Sequence, residues 1–176
     1  YKDFENYYTK VIGNLSIINI RIYVLALFEK SLMTEINFKK YVNRLTILSS
    51  ELEKKNIKLA LETNLDVKTI TKLIKLIKNK NIFIVYDTGN RLKKNDLQYD
   101  EILKLNKKIC HFHIKDKNWK GENVVLGLGS VDFNKIFKAV KKIKYNGKFT
   151  FETNRGKNPF FTMKKNKEFI KNIIES

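Results

Sequence analysis

The sequence predicts an α/β fold in which parallel strands are joined by helical crossovers. Five strand-like apolar segments occur at 18–28, 58–63, 82–87, 109–114 and 148–152. A first helical segment spans 1–12, and segments with apolar residues at helical spacing then follow the strands at 38–55, 67–78, 99–105, 133–143 and 164–174. Because parallel strands need long crossovers, this alternation indicates a doubly wound sheet or a barrel. No glycine-rich phosphate loop follows the first strand, which disfavours a dinucleotide-binding sheet.

Length and composition predict one globular domain over 1–176. The single cysteine, Cys110, excludes an internal disulfide and fits a reducing compartment, so we expect a cytoplasmic protein. The most apolar run, 16–28, carries Arg21 and is too short to span a bilayer, so no membrane partner is expected. The sequence begins with Tyr1 rather than Met, which suggests a fragment or a processed product.

The formal net charge of +18 raises the question of a nucleic-acid partner. Of the 36 basic residues only four are arginines, which leaves 32 lysines (36 − 4) spread over nearly every predicted helix. Sequence-specific DNA readers depend on arginine for bidentate contacts. Solvated helix surfaces therefore explain the charge better than a nucleic-acid footprint.

The segment Ile109–Asp116 contains both histidines of the protein. In a strand, His111, His113 and Lys115 point to one face, and Cys110, Phe112 and Ile114 point to the other. The segment therefore predicts a strand with one apolar face and one face capable of chemistry. A buried strand with hydrogen-bonded core histidines is the alternative.

Four of the predicted strands end in residues that can bind a metal ion, namely Glu62, Asp87, His113 and Glu152. In a parallel barrel these strand ends meet at one mouth. Three carboxylates would repel one another there unless a cation lies among them. The donor set suits Mn²⁺, Mg²⁺, Co²⁺ or Zn²⁺ and does not choose among them. The triplet Glu-Thr-Asn occurs at both 62–64 and 152–154, which favours an evolved site.

Five segments together resemble the xylose isomerase-like TIM barrels, in particular their sugar phosphate isomerase and epimerase branch. They are LALETN (59–64), VYDTGN (85–90), HFHIKD (111–116), LGLGSVDF (126–133) and FTFETNRG (149–156). The resemblance implies a partial (β/α)8 TIM barrel that holds about strands four to eight with their helices. The domain would then be N-terminally incomplete.

The resemblance also implies a metal-dependent isomerase or epimerase of carbohydrate metabolism that acts on a small sugar or sugar phosphate. Glu62 and Glu152 would bind the metal and transfer the proton as catalytic residues, with Asp87 and His113 as the other metal ligands. The substrate-binding candidates are His111, Lys115, Arg91, Arg155 and Asn90. For His111 a packed core position is the alternative, and for the three cations plain surface charge is. Trp119 could cap the pocket or an apolar patch. A homo-oligomer is a further possibility.

Two other functions remain as alternatives. An endonuclease IV-like phosphodiesterase acting on abasic DNA needs a three-metal cluster rich in histidine. The chain has two histidines, and Asn90 stands where that branch carries one. The second alternative is a non-catalytic barrel fragment.

Overall fold

Strands and helices alternate along the chain. The computed structural model describes residues 2–95 and 97–175, with side chains from residue 6 onward. Its strands are β1 (Ile22–Ala26), β2 (Lys58–Glu62), β3 (Ile82–Asp87), β4 (Ile109–Ile114), β5 (Asp116–Lys117), β6 (Asn123–Val124) and β7 (Phe149–Phe151). Its α-helices are α1 (Lys2–Ile17), α2 (Phe38–Glu53), α3 (Val67–Ile77), α4 (Gln98–Leu105), α5 (Phe133–Lys142) and α6 (Pro159–Glu175). Short 3₁₀ helices span Glu29–Ser31 and Asn106–Lys108.

The larger sheet has five strands in the order β1-β2-β3-β4-β7. The β1–β2 and β4–β7 pairs are parallel, with Ala26 opposite Glu62 and His113 opposite Thr150. The predicted α/β class is therefore confirmed as a parallel half-barrel sheet with helices between its strands. By its contacts the chain divides into two compact units, Tyr1–Ile84 and Val85–Ser176.

In the first unit, α2 packs on β2 and α3. The predicted apolar face of α2 is buried at Leu45, Leu48 and Leu52, whereas Tyr41 is half-buried. The carboxylate of Asp66 accepts a hydrogen bond from the Thr69 amide at 2.8 Å and is the N-cap of α3.

The apolar face of β4 lies in an aromatic cluster in the second unit. The ring of Phe112 is fully buried, 4.9 Å from that of Tyr145, 5.4 Å from that of Phe149 and 5.6 Å from that of Tyr86, measured between centroids. Side chains alternate along a strand. Fixing Phe112 on this face therefore fixes its neighbours His111 and His113 on the other.

A small hairpin follows β4, where β5 pairs antiparallel with β6. The Asp116 carboxylate is buried and accepts the amides of Gly127, Gly129 and Val131 at 2.9, 3.0 and 3.2 Å. A Cβ on Gly129 would overlap this carboxylate. One side chain, at the first residue of β5, therefore organises the LGLGSV loop, a role that the sequence did not reveal.

The structure differs from the predicted elements at three places. The run 18–28 is a strand only from Ile22 to Ala26, because α1 continues to Ile17. The Ile20 amide donates a hydrogen bond to the Leu15 carbonyl at the end of this helix. Apolar runs do not separate helix from strand. The last helix begins at Pro159 rather than at residue 164, since proline suits the first helical position, where its missing N–H is not needed. The hairpin was not predicted.

No helix in the described part of the chain is both long and apolar enough to cross a membrane.

Replacing Asp116 with alanine is expected to lower the free energy of unfolding by about 3–5 kcal/mol. The amides of Gly127 and Gly129, which are partly buried, and that of Val131, which is buried, would lose their shared acceptor, and an unsatisfied buried donor costs about 1–3 kcal/mol. Asp132→Ala is the matched control, because Asp132 accepts one amide, that of Lys135, at the exposed start of α5. Losing that cap should cost about 1 kcal/mol. Urea unfolding measures both, and equal losses would contradict this role of Asp116.

Tyr145 is expected to ionise about two pH units above an ordinary tyrosine. Burial, and to a smaller extent Cys110, raise the pKa of Tyr145 to about 12. Unfolded tyrosine titrates near 10. The Tyr145 contribution to stability is therefore present below pH 10 and is lost as the pH rises to about 12. Ultraviolet titration of the wild type and of Tyr145→Phe isolates this transition, and a Tyr145 midpoint near 10 would contradict the burial.

Candidate metal centre

The ends of β3, β4 and β7 are tied together by short hydrogen bonds. The Thr88 amide donates to the His113 carbonyl at 3.0 Å, and the Thr88 hydroxyl donates to the Lys115 carbonyl at 2.6 Å. The Glu152 amide donates to the Ile114 carbonyl at 3.1 Å. These bonds bring the residues at three strand ends side by side.

Asp87, His113 and Glu152 converge at this edge of the sheet. The His113 Nδ1 atom lies 3.1 Å from Glu152 Oε1 and 4.0 Å from Asp87 Oδ2. Asp87 is 1% exposed, whereas the Glu152 side chain is 40% exposed. Asn90 holds the Asp87 carboxylate through its amide N–H on Oδ1 at 2.7 Å and its side-chain N–H on Oδ2 at 3.1 Å.

Glu62 is the buried last residue of β2. Glu62, Asp87, His113 and Glu152 each offer one ligand atom, and these atoms all lie within 4.8 Å of one another. The predicted set of four is therefore brought together. Three carboxylates and one imidazole are a donor set that divalent metals of the Mg²⁺ to Zn²⁺ range accept, so the residues present fit such an ion.

Lys115 bridges two members of this set. Its ammonium lies 3.0 Å from Asp87 Oδ2 and 2.7 Å from Glu152 Oε2, and its side chain is 12% exposed. Burial by itself lowers the pKa of Lys115, but the hydrogen bonds to Glu152 and Asp87 outweigh it and raise the pKa above its ordinary value. Lys115 therefore stays positively charged beside two carboxylates. This placement favours a functional position over plain surface charge.

His111 lies on the same face as His113, and their rings meet edge to face with centroids 5.4 Å apart. Its Nε2 atom is 2.8 Å from the hydroxyl of Thr150 on β7. Burial, followed by the charges of His113 and Lys148, lowers the pKa of His111 below its ordinary value. His111 is therefore a neutral, hydrogen-bonded ring beside the site.

The two predicted arginines are placed differently. Arg91 is 2% exposed, and its Nε donates to Glu101 Oε2 at 2.7 Å while its guanidinium lies 5.3 Å from the Tyr86 ring centroid. These contacts favour a structural role for Arg91 over the predicted contact with substrate. Arg155 is exposed on the loop after β7, and no ion pair to another described residue holds it.

A threonine follows each of the carboxylates Glu62, Asp87 and Glu152, and its hydroxyl forms a hydrogen bond in every case. The Thr63 hydroxyl accepts the Leu65 amide at 3.3 Å, the Thr88 hydroxyl bonds the Lys115 backbone, and the Thr153 hydroxyl accepts from Asn166 at 2.8 Å. The recurrence of Glu-Thr-Asn therefore has a physical basis. The carboxylate belongs to the donor set, and the adjacent hydroxyl bonds the following loop at Thr63 and helix α6 at Thr153.

Comparison with known proteins supports the same family. The family model "Xylose isomerase-like TIM barrel" matches residues 9–173, so the chain belongs to this family. A search of curated proteins gave no significant match.

Three solved structures share the fold. The D-allulose 3-epimerase from Methylomonas sp. matches with a TM-score of 0.79 and 19% identity, over 97% of this chain and 69% of that one. An L-ribulose 3-epimerase matches with a TM-score of 0.81 and 19% identity, over 97% and 66%. The IOLI protein with a bound zinc atom matches with a TM-score of 0.79 and 18% identity, over 96% and 68%.

Replacing Lys115 with methionine is expected to destabilise the protein in the presence of a chelator, by about 2 kcal/mol. Breaking a buried ion pair costs about 3–5 kcal/mol, and the exposure of Glu152 reduces that figure. A divalent cation supplies the lost positive charge, so Mn²⁺ should raise the melting temperature more in Lys115→Met than in the wild type. Thermal melts with EDTA or Mn²⁺ measure both effects.

Lys120→Met is the control, because Lys120 is exposed and has no ion pair with any described residue. The role of Lys115 is contradicted if its loss costs no more than the loss of Lys120.

Proposed function

We propose that this protein is a divalent-metal-dependent isomerase or epimerase that acts on a small sugar or sugar phosphate. The observation that carries the proposal is the four-residue donor set of Glu62, Asp87, His113 and Glu152, with their ligand atoms within 4.8 Å of one another. Membership of the xylose isomerase-like TIM barrel family gives independent support.

The substrate class is proposed from the structural neighbours. Two of them are named as 3-epimerases of the ketoses D-allulose and L-ribulose. Both reactions change the configuration of the carbon beside a carbonyl group. A third neighbour carries zinc, in keeping with a metal at the donor set. For this protein the donor set suits Mn²⁺, Mg²⁺, Co²⁺ or Zn²⁺ and does not select one of them.

The chemistry requires removal of a proton from the carbon beside C=O and its return to the same or the neighbouring carbon. Glu62 and Glu152 are the proposed bases, since a carboxylate kept ionised can accept that proton and give it back. A bound divalent ion supplies positive charge that stabilises the negative charge developing on the substrate oxygen. Asp87 and His113 are the remaining proposed metal ligands.

The surrounding residues orient these groups. Lys115 holds the Glu152 carboxylate through Oε2, while His113 approaches its Oε1 atom. Asn90 fixes both oxygens of Asp87. We therefore assign Lys115 and Asn90 as positioning residues, and His111 as a neutral polar group that lines the site.

Replacing Glu62 or Glu152 with glutamine is expected to reduce turnover by about 10²–10⁴-fold, because the amide keeps the shape and removes the base. The assay incubates the protein with Mn²⁺ and a panel of ketoses and ketose phosphates in deuterated water. Deuterium on the carbon beside the carbonyl then reports proton transfer. Melting curves show whether each variant is folded.

Glu168→Gln is the matched control, because Glu168 is exposed on α6. Its exchange rate should equal that of the wild type. Exchange that survives in both Glu62→Gln and Glu152→Gln would refute the assignment of the bases. Nicking of abasic-site DNA that is lost in Glu152→Gln, without exchange on any sugar, would favour a phosphodiesterase instead.

A further inference from the structure

A groove of about 260 Å³ lies in the second unit, beside the β3 and β4 ends. It is formed by two loops, one directly after Asp87 and one directly after β5. The residues that line it include Asn90, Lys93, Lys94, Lys117, Asn118 and Trp119. Asn90 belongs to both places, since it lines the groove and also bonds the Asp87 carboxylate. The groove therefore adjoins the proposed centre.

The charged residues that line this groove in the described part of the chain are all lysines. Three lysines line it, and none of its lining residues is acidic. The Lys93 ammonium lies 3.3 Å from Glu101 and is partly compensated by it. Lys94 and Lys117 form no ion pair with a described residue, and the nearby Glu122 carboxylate accepts from Asn118 at 2.6 Å. Two positive charges thus remain available to a ligand.

Trp119 adds an apolar surface to the same groove. Trp119 is 56% exposed, so much of its surface is accessible to a ligand in the groove. Indole pairs a flat apolar face with an N–H donor, a combination suited to a sugar ring or carbon chain that carries polar groups. The loop that presents Trp119 is held by hydrogen bonds of Asn118 to Lys120 and Glu122.

We propose that this groove binds the phosphate end of the substrate, with Lys94 and Lys117 on the phosphate and Trp119 against the carbon chain. The preferred substrate is then a ketose phosphate rather than a neutral ketose. The proposal rests on the proposed isomerase or epimerase function and names its substrate class. The net charge of +18 would by itself place lysines anywhere on the surface. The proposal instead depends on two lysines and an exposed indole that lie together in one groove beside the donor set.

Trp119 is the single tryptophan of the chain, so intrinsic fluorescence reports on the groove directly. We would titrate the Mn²⁺-loaded protein with D-ribulose, D-ribulose 5-phosphate, D-fructose, D-fructose 6-phosphate and inorganic phosphate. At least one ketose phosphate should change the fluorescence at a concentration tenfold or more below its neutral partner. Lys94→Met and Lys117→Met should each lower the affinity for that ketose phosphate by about tenfold, since a hydrogen bond to a charged group typically contributes that much to binding.

Lys68→Met is the control for general charge, because Lys68 is exposed on α3 in the other unit. It should leave the affinity for the ester unchanged. Equal responses to ester and neutral sugar would overturn the proposal, as would equal weakening by Lys68→Met. Inorganic phosphate that binds as tightly as the ester would also overturn it, because a substrate subsite must gain from the sugar.

Deuterium exchange on the same compounds separates this inference from the proposed function. Exchange on neutral ketoses alone would defeat the phosphate site and leave the isomerase intact. Tight ester binding that depends on Lys94 and Lys117, without exchange on any sugar, would defeat the isomerase function and with it the substrate role of the groove.

Discussion

The structure depends on the balance of charge at the carboxyl ends of its parallel strands. The parallel arrangement brings Asp87 and Glu152 to one edge of the sheet, where their carboxylates would repel each other. The Lys115 ammonium compensates both charges, at 3.0 Å from Asp87 and 2.7 Å from Glu152. The His113 ring lies 3.1 Å from Glu152. Like charges held close in a partly buried place need compensation by cations or by hydrogen bonds. The site uses both, and a divalent ion is a natural third contributor.

The backbone around this charge cluster is built to hold it. Thr88 joins the ends of β3 and β4 through one hydroxyl that both donates to and accepts from the Lys115 backbone, at 2.6 and 2.9 Å. Gln98 donates to the Thr88 carbonyl at 2.7 Å, so α4 supports the same turn. On the other side of the sheet, the aromatic cluster around Phe112 fixes which residues of β4 face the site. Groups positioned by packing and by such supporting hydrogen bonds are those that catalysis requires.

Much of this could be predicted from the sequence, because it rests on local periodicity. Alternation placed His111 and His113 on one face, and the strand-end positions selected Glu62, Asp87, His113 and Glu152. What escaped prediction depends on distant contacts. The carboxylate of Asp116 accepts hydrogen bonds from amides 11 to 15 residues later in the chain, and no local sequence pattern predicts such contacts. The ion pairs of Lys115 depend on how the chain turns after β4. The apolar run before Ile22 satisfied helix and strand patterns equally, and only packing could choose between them.

The central claim is that four strand-end residues hold one divalent ion. Anomalous diffraction at the manganese edge, from crystals grown with MnCl₂, tests it most directly. We expect one strong peak in contact with Glu62, Asp87, His113 and Glu152, and we expect it to disappear in crystals of Asp87→Asn. Absence of a peak at this place, or a peak bound by other residues, would contradict the account.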